Sequence, residues 1–176
     1  MRTLAALLLI AFSATAQTQQ RPATWRDTLN SRLSLFGHRN WVVIADAAYP
    51  LHSGPGIETI DSDSDHIATI RAVLFAIRRT HNLRPVVFLD SELTKVPESD
   101  ASGIGGYRQE LLSFVKDAVS LPHDDLIHRI DEAGRNFSVL VVKTNMVLPY
   151  TSVFIELRAS YWSDEAEQRL RQLIHP

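Results

Sequence analysis

The chain has 176 residues, of which 45% are hydrophobic and 22% are charged, so it is long enough for one globular domain with a substantial core and short for two. The formal net charge is −2, and no basic patch with interleaved aromatic residues occurs, which argues against a nucleic-acid partner. The absence of cysteine excludes disulfides, a thiolate nucleophile and thiolate-bound zinc.

The first sixteen residues have the composition of a secretory signal peptide. Arg2 supplies a positive n-region, Leu4 to Phe12 an apolar segment, and Ala14-Thr15-Ala16 a small-x-small cleavage signal. The apolar run of about nine residues is far shorter than the roughly twenty needed to cross a bilayer, so we expect no stable membrane span after cleavage. We predict an exported protein, periplasmic or secreted, with a signal peptide at 1–16, a polar tether at 17–22 and a single domain at 23–176.

The mature chain begins with a helix and a buried strand. An apolar residue every three to four positions predicts a helix over residues 23–36, ended by Gly37. The run Trp41–Ala45 predicts a buried strand, and residues 49–56, rich in proline and glycine, predict a shaped surface loop.

Helices and strands alternate along the remainder. The pattern predicts a helix to about Thr80, for which Ser62 or Ser64, with Asp63 and Asp65, provides the N-terminal cap and favourable charge. It then predicts a strand at 86–89 ended by Asp90, a helix bearing Tyr107 and Leu111, and a helix over 122–134 ended by Gly134. Strands at 137–143 and 152–158 and a last helix capped by Ser163 follow. Apolar strands that alternate with helices indicate an α/β domain. We expect a three-layer α/β/α sandwich with a mainly parallel or mixed sheet.

Three short patterns resemble ligand sites and have simpler explanations. The DSDSD run at 61–65 lacks the glycine and glutamate of a calcium loop, so helix capping is favoured. The GIGG run at 103–106 follows no strand directly and lacks a lysine-serine/threonine ending, so a flexible loop is favoured over a phosphate cradle. His123 and His128 have no third ligand at suitable spacing, so we expect no metal.

The segment FGHRNWVVIADAAYP is the strongest candidate for a site. His38 lies in a glycine turn just before the first apolar strand, and Asp46 lies just after it. Strand ends expose functional groups while the strand holds them in place, so the pair is a candidate acid/base constellation. Two polar turns flanking a core strand are the alternative.

Two blocks carry a resemblance to a known family. GHRNWVVIADAAYP resembles the GH-x(7)-DA-x-x-P signature of the D-ribose pyranase and L-fucose mutarotase family, and VLVVKTNMVLPYTSVFIEL resembles that family's strand-loop-strand segment with its tyrosine. The blocks stand in the family's order. The resemblance implies an isomerase that interconverts anomers or ring forms of a free monosaccharide without a cofactor, in homo-oligomers whose sites lie near subunit contacts.

The resemblance also implies site residues. His38 matches the catalytic histidine and Asp46 a substrate-binding aspartate. Tyr150 matches the tyrosine of the second block, His128 a second sugar-contacting histidine, and Ser152 stands where the family has asparagine. Serine is shorter than asparagine and lacks its amide, which leaves the choice of sugar open.

The proposed chemistry and the strand length together predict a shared site. Mutarotation needs proton removal from the anomeric hydroxyl and proton delivery to the ring oxygen, which suits the imidazole of His38. Eight extended residues span roughly 26 Å, too far for His38 and Asp46 to contact one small sugar. Either the chain bends sharply around Trp41 or the two side chains belong to different subunits, and we predict a pocket across a subunit contact.

A second function remains open. Ser152, together with Glu132 where relatives have a basic or aromatic residue, would suit an exported carbohydrate-binding protein that keeps the fold without turnover. A hydrolase is less well supported, because the sequence lacks a nucleophile elbow and an acid pair of recognisable spacing.

Overall fold

The structure is a computed structural model that describes residues 23–174. The predicted signal peptide and polar tether lie outside the described residues. Five helices and six strands follow. The helices are α1 (Trp25–Leu33), α2 (His66–Arg78), α3 (Ile104–Phe114), α4 (His123–Asn136) and α5 (Asp164–Ile174), and the strands are β1 (Trp41–Ala45), β2 (Ile57–Asp61), β3 (Leu83–Asp90), β4 (Val119–Leu121), β5 (Val139–Lys143) and β6 (Val153–Ala159).

The six strands form one mixed sheet in the order β2-β5-β1-β6-β3-β4. β1 pairs in parallel with β5, β5 with β2, and β3 with β4, whereas β6 runs antiparallel to both of its neighbours, β1 and β3. The sequence pattern does not predict β2 and β4. Both lie at the edges of the sheet, where strands need no continuous apolar run.

Helices cover both faces of the sheet, which confirms the predicted three-layer α/β/α sandwich. Val42 and Ile44 of β1 pack with α1, α2 and α3, and Trp41, Val43 and Ala45 pack on the other face with α4. This two-sided burial explains why all five residues of β1 are buried. No side chain of α5 is buried. No helix between residues 23 and 174 is long and apolar enough to cross a membrane.

The predicted end of α1 is three residues too late, and the structure selects one cap for α2 from the predicted group. α1 ends at Leu33, with Ser34 as its C-cap, and a turn then brings Phe36 into the core before Gly37. α2 is capped by Asp65, whose carboxylate accepts a hydrogen bond from the amide of Ala68 at 2.8 Å. The hydroxyls of Ser62 and Ser64 are engaged elsewhere, since they donate to the carbonyls of Lys143 and Ser62 at 2.7 and 2.8 Å.

The GIGG run is a helix start, which corrects the predicted flexible loop. Gly103 is the N-cap of α3 with φ of 92°, a left-handed conformation that glycine adopts without strain. The carboxylate of Glu98 accepts hydrogen bonds from the amides of Gly103 and Gly105, the second at 2.9 Å. The chain's own carboxylate therefore occupies the amides that a phosphate would need.

Gly134 does not end its helix, because α4 continues to Asn136. A Cβ on Gly134 would lie 2.4 Å from Cγ1 of Ile57, and a Cβ on Gly56 would lie 2.4 Å from the carbonyl oxygens of Gly134 and Phe137. The amide of Gly56 donates to the carbonyl of Gly134 at 3.1 Å. The two glycines thus allow close contact between the start of β2 and the end of α4.

We expect Gly56→Ala to lower the free energy of unfolding by about 1–3 kcal/mol, because the new methyl group meets backbone oxygens that cannot move aside as a flexible side chain would. Gly37→Ala is the matched control, since a Cβ there has no atom within 4 Å. Urea denaturation of both variants measures the difference, and equal losses would contradict the packing role of Gly56.

Candidate functional site

The sheet register brings three polar residues together at one edge. Ile44 of β1 pairs with Val153 of β6, and Val153 pairs with Leu89 of β3. Ile44, Val153 and Leu89 thus form one row across β1, β6 and β3, at the edge where β1 and β3 end and β6 begins. Asp90 directly follows Leu89, Ser152 directly precedes Val153, and Asp46 lies two residues after Ile44. Adjacent strands are about 4.8 Å apart, which places Ser152 between the two carboxylates.

Asp46 is held by the start of β6. The hydroxyl of Ser152 donates to Oδ2 of Asp46 at 3.0 Å, and the amide of Ala48 donates to Oδ1 at 2.8 Å. Ser152 is only 1% exposed, whereas Asp46 is partly exposed. The serine therefore orients the carboxylate, and the carboxylate has a surface open to a ligand.

Asp90 and His123 form a hydrogen-bonded pair at the end of β3. Nδ1 of His123 lies 3.0 Å from Oδ1 of Asp90, and the backbone amide of His123, the first residue of α4, donates to the carboxylate of Glu92 at 3.1 Å. Asp90 is 1% exposed, and its Oδ2 is buried without a protein partner. Burial raises the pKa of Asp90 to about 6, despite the opposing effect of His123.

Tyr150 packs edge-on against the same histidine. The two ring centroids are 5.5 Å apart with an interplanar angle of 83°, and Tyr150 is 40% exposed. Its φ of 55° is in the left-handed region, which is unusual for a bulky residue. Strained backbone of this kind persists only where the surroundings hold it, and it occurs most often at functional sites.

A buried network holds the backbone next to Tyr150. The carbonyl of Thr151 accepts hydrogen bonds from Nε2–H of His66 at 2.9 Å and from the hydroxyl of Tyr107 at 2.8 Å. Burial lowers the pKa of His66, so the ring is neutral with its hydrogen on Nε2. Nδ1 lies 2.7 Å from the hydroxyl oxygen of Thr144, and that hydroxyl also lies within hydrogen-bond distance of the carbonyl of Ala45, at 2.9 Å.

Tyr49 and His52 form a further polar group below the site, on the loop after β1. Nδ1 of His52 lies 3.1 Å from Oδ1 of Asp131 on α4. The hydroxyl of Tyr49 and Nε2 of His52 are both buried without a protein partner. Burial raises the pKa of Tyr49, and the carboxylates of Asp131, Asp90 and Asp46 raise it further. Both residues lie in the segment 49–56, which the sequence predicts to be a shaped loop.

His38 lies at the other end of β1. The amide of Arg39 donates to the carbonyl of Leu157 near the end of β6, and Trp41 is in register with Glu156. β1 is continuous from Trp41 to Ala45 and spans about 13 Å. The structure therefore has no sharp bend around Trp41, which was one of the two alternatives, and within one chain His38 does not reach Asp46.

Three of the predicted site residues lie together with Asp90 and His123, and two lie elsewhere. Asp46, Tyr150 and Ser152 share the edge with His123, whereas His38 lies at the opposite edge and His128 is exposed on α4. Within the described part of the chain, no three His, Asp or Glu side chains are placed so that they could hold a metal ion.

Sequence reasoning missed Asp90 and His123 as site residues. Asp90 directly follows a buried strand, as Asp46 nearly does, so the strand-end rule applied to both. His123 follows a proline and opens an acidic helix start. What the sequence did not contain was the register that joins them.

The comparisons with known proteins bear on the fold. No protein-family model matches the sequence, and no curated protein matches it. Among solved structures, RbsD from Bacillus subtilis, complexed with D-ribose, superposes with a TM-score of 0.55 at 14% identity, over 80% of this chain and 98% of that one. FucU from Bifidobacterium longum superposes with a TM-score of 0.52 at 19% identity, over 76% and 95%. The chain has the RbsD/FucU fold.

The RbsD/FucU fold confirms the architecture that the two sequence blocks implied. A fucose mutarotase from Streptococcus pneumoniae, solved with L-fucose, is also similar, with a TM-score of 0.49 at 19% identity over 73% of this chain and 89% of that one. At these identities the similarity establishes architecture alone. The roles of single residues rest on the geometry described above.

We expect the carboxyl of Asp90 to titrate near pH 6, because burial disfavours its charged form. Since this pKa is above the value in the unfolded chain, the native state binds the proton more tightly. The resulting stabilisation is present below about pH 4 and is lost as the pH rises through about 6. Carboxyl ¹³C NMR, assigned with Asp90→Asn, measures the titration.

Urea denaturation provides the second measurement. The wild-type protein should lose stability relative to Asp90→Asn between pH 4 and pH 7. A carboxyl resonance that titrates near pH 4, with no such relative loss, would contradict the buried state of Asp90.

Proposed function

We propose that this protein is a cofactor-independent isomerase of the mutarotase or pyranase type, acting on a free monosaccharide. The observation that carries the proposal is the Asp90–His123 pair, which lies with Tyr150 and the Asp46–Ser152 pair at one edge of the sheet. The D-ribose bound in the B. subtilis RbsD structure supports the class of ligand.

His123 provides a base for the anomeric hydroxyl. With Asp90 ionised and accepting from Nδ1–H, the lone pair of the imidazole is on Nε2, and the side chain is about a third exposed. Nε2 removes the proton from the anomeric hydroxyl as an acid delivers a proton to the ring oxygen. The C1–O bond to the ring breaks, the aldehyde rotates, and ring closure by the reverse steps gives the other anomer.

We assign to His123 the sugar contact that the resemblance placed at His128. His123 packs against Tyr150 and bonds to Asp90, whereas His128 points to solvent five residues further along α4. Asp46 then accepts hydrogen bonds from sugar hydroxyls, and Tyr150 supplies a ring edge and a phenol.

His38 is the proposed acid, and it comes from a second copy of the chain. We call the edge of the sheet where β1 begins, next to His38, the amino edge, and the edge where β1 ends, next to Asp46, the carboxyl edge. The length of β1 separates the two edges, so one chain cannot place both side chains at one small sugar. A homo-oligomer in which the amino edge of one copy faces the carboxyl edge of the next completes the site.

NMR saturation transfer between the anomers of ribose, fucose and galactose tests the proposal. The wild-type protein should accelerate exchange of at least one sugar. His38→Ala, His123→Gln and Asp46→Asn should each lower the rate about 10²- to 10⁴-fold, the usual contribution of general acid–base catalysis. His128→Ala is the matched control on α4 and should keep the wild-type rate. A rate lost in His128→Ala and kept in His123→Gln would overturn the assignment.

Mixing inactive variants tests the shared site with the same assay. His38→Ala and Asp46→Asn subunits, dissociated and reassembled together, should regain about a quarter of the wild-type rate, because some contacts then carry both native residues. No recovery from a mixture that has reassembled would contradict a site shared between copies. Sugar-dependent chemical shifts without accelerated exchange in the wild type would favour the carbohydrate-binding alternative.

We further propose that the protein is exported and processed after Ala16. The n-region, apolar segment and Ala14-Thr15-Ala16 support this. Expressed in a Gram-negative host, the protein from the periplasmic fraction should have the intact mass of a chain beginning at Gln17. Ala16→Pro should leave the precursor uncleaved, and a precursor of full mass in the cytoplasm of the wild type would contradict export.

A further inference from the structure

A cavity of about 510 Å³ lies beside His38 at the amino edge of the sheet. Its walls come from the turn before β1, from the end of β6 and from residues 161–167, which lead into α5. Small-molecule sites are typically about 300–1,000 Å³. The cavity is large enough to hold a monosaccharide next to the imidazole.

Trp162 presents an aromatic face to this cavity that core packing does not explain. The residue is 44% exposed, and its indole Nε1–H donates to Oε2 of Glu167 at 2.9 Å. Nε of Arg171 donates to the other oxygen of Glu167 at 2.8 Å. The indole is held in place before any ligand arrives, so binding costs little further side-chain entropy.

The charged groups of the wall compensate one another. Arg84 and Arg158 both donate to the carboxylate of Asp164, at 2.8 and 3.0 Å, and Arg158 also donates to Glu156 at 2.9 Å. A phosphorylated or acidic ligand would have to break these ion pairs. An uncharged polyol would not, because its hydroxyls donate to carboxylates and accept from guanidinium groups.

We propose that Trp162 is a substrate-binding residue whose indole stacks against the apolar face of an uncharged monosaccharide beside His38, and that Glu167 is its positioning residue. A sugar ring exposes C–H groups on one face and hydroxyls around its edge. The half-exposed indole matches the face, and the ionic rim matches the edge. The inference rests on the proposed function in taking a monosaccharide as the ligand, and it adds the end of β6 and α5 to the site.

Tryptophan fluorescence during titration with D-ribose, L-fucose and D-galactose tests the stacking. Of the three tryptophans, Trp41 is 6% exposed and lies in the core, and Trp25 lies on α1. The wild type and the control variant Trp25→Phe should show a saturable change in emission with at least one sugar. Trp162→Phe and Trp162→Ala should lose that change, and Trp162→Ala should bind the sugar about tenfold more weakly by NMR titration.

Variants of Glu167 test positioning. Glu167→Gln keeps an oxygen that accepts from the indole and should retain nearly wild-type affinity, whereas Glu167→Ala should bind several-fold more weakly at unchanged thermal stability. A purely structural role would instead lower stability in both variants. Equal affinity in Glu167→Gln, Glu167→Ala and the wild type would overturn the positioning role.

The outcomes separate this inference from the proposed function. Accelerated exchange in the wild type together with undiminished affinity in Trp162→Ala would overturn the inference alone. A sugar-dependent emission change that requires Trp162, without accelerated exchange, would support the inference and overturn the isomerase. Dissociation of the oligomer in both Trp162 variants, seen by light scattering, would make this wall a subunit contact and would also overturn the inference.

Discussion

The candidate site depends on one topological constraint, the antiparallel insertion of β6 between β1 and β3. In a sheet of parallel strands the carboxyl ends collect at one edge, and the chain enters at the other. Because β6 runs the opposite way, its first residues begin where β1 and β3 end. The segment Tyr150–Ser152 is thereby delivered between Asp46 and Asp90, and no long loop is needed to bring it there.

This arrangement costs stability, which the surrounding structure offsets. Tyr150 in the left-handed region costs on the order of 1–3 kcal/mol, and the unpartnered Oδ2 of Asp90 adds a cost of about 1–3 kcal/mol. The network that holds the carbonyl of Thr151 through His66 and Tyr107 opposes relaxation of this segment. A turn held in a strained conformation by buried hydrogen bonds is typical of a preorganised site.

The sequence predicted the parts of the molecule that local patterns determine. Five apolar residues in a row identified β1 as a strand buried on both faces, and the strand-end rule identified Asp46. It did not identify the Asp90–His123 pair, because that contact joins residues 33 positions apart through the pairing of β3 with β4, in which Asp90 is in register with Leu121. The edge strands β2 and β4 were missed for a related reason, since they are defined by their partners and carry little apolar pattern of their own. The resemblance placed a sugar-contacting histidine at His128. The contacts with Asp90 and Tyr150 instead favour His123, five residues earlier on α4.

The two edges of the sheet, one next to Asp46 and the other next to His38, carry different chemical groups. The carboxyl edge carries two carboxylates, one of which is buried with its pKa raised by that burial, and it presents acceptors to a ligand. The amino edge carries His38 within a wall of compensated ion pairs and an indole held by Glu167. In the proposed mechanism the base, His123, lies at the carboxyl edge, and the acid, His38, lies at the amino edge. The proposed shared site calls for a head-to-tail contact between copies, and such a contact repeats until it closes a ring. The length of β1 therefore means that the proposed site, with His38 and Asp46 at one sugar, needs two copies of the chain.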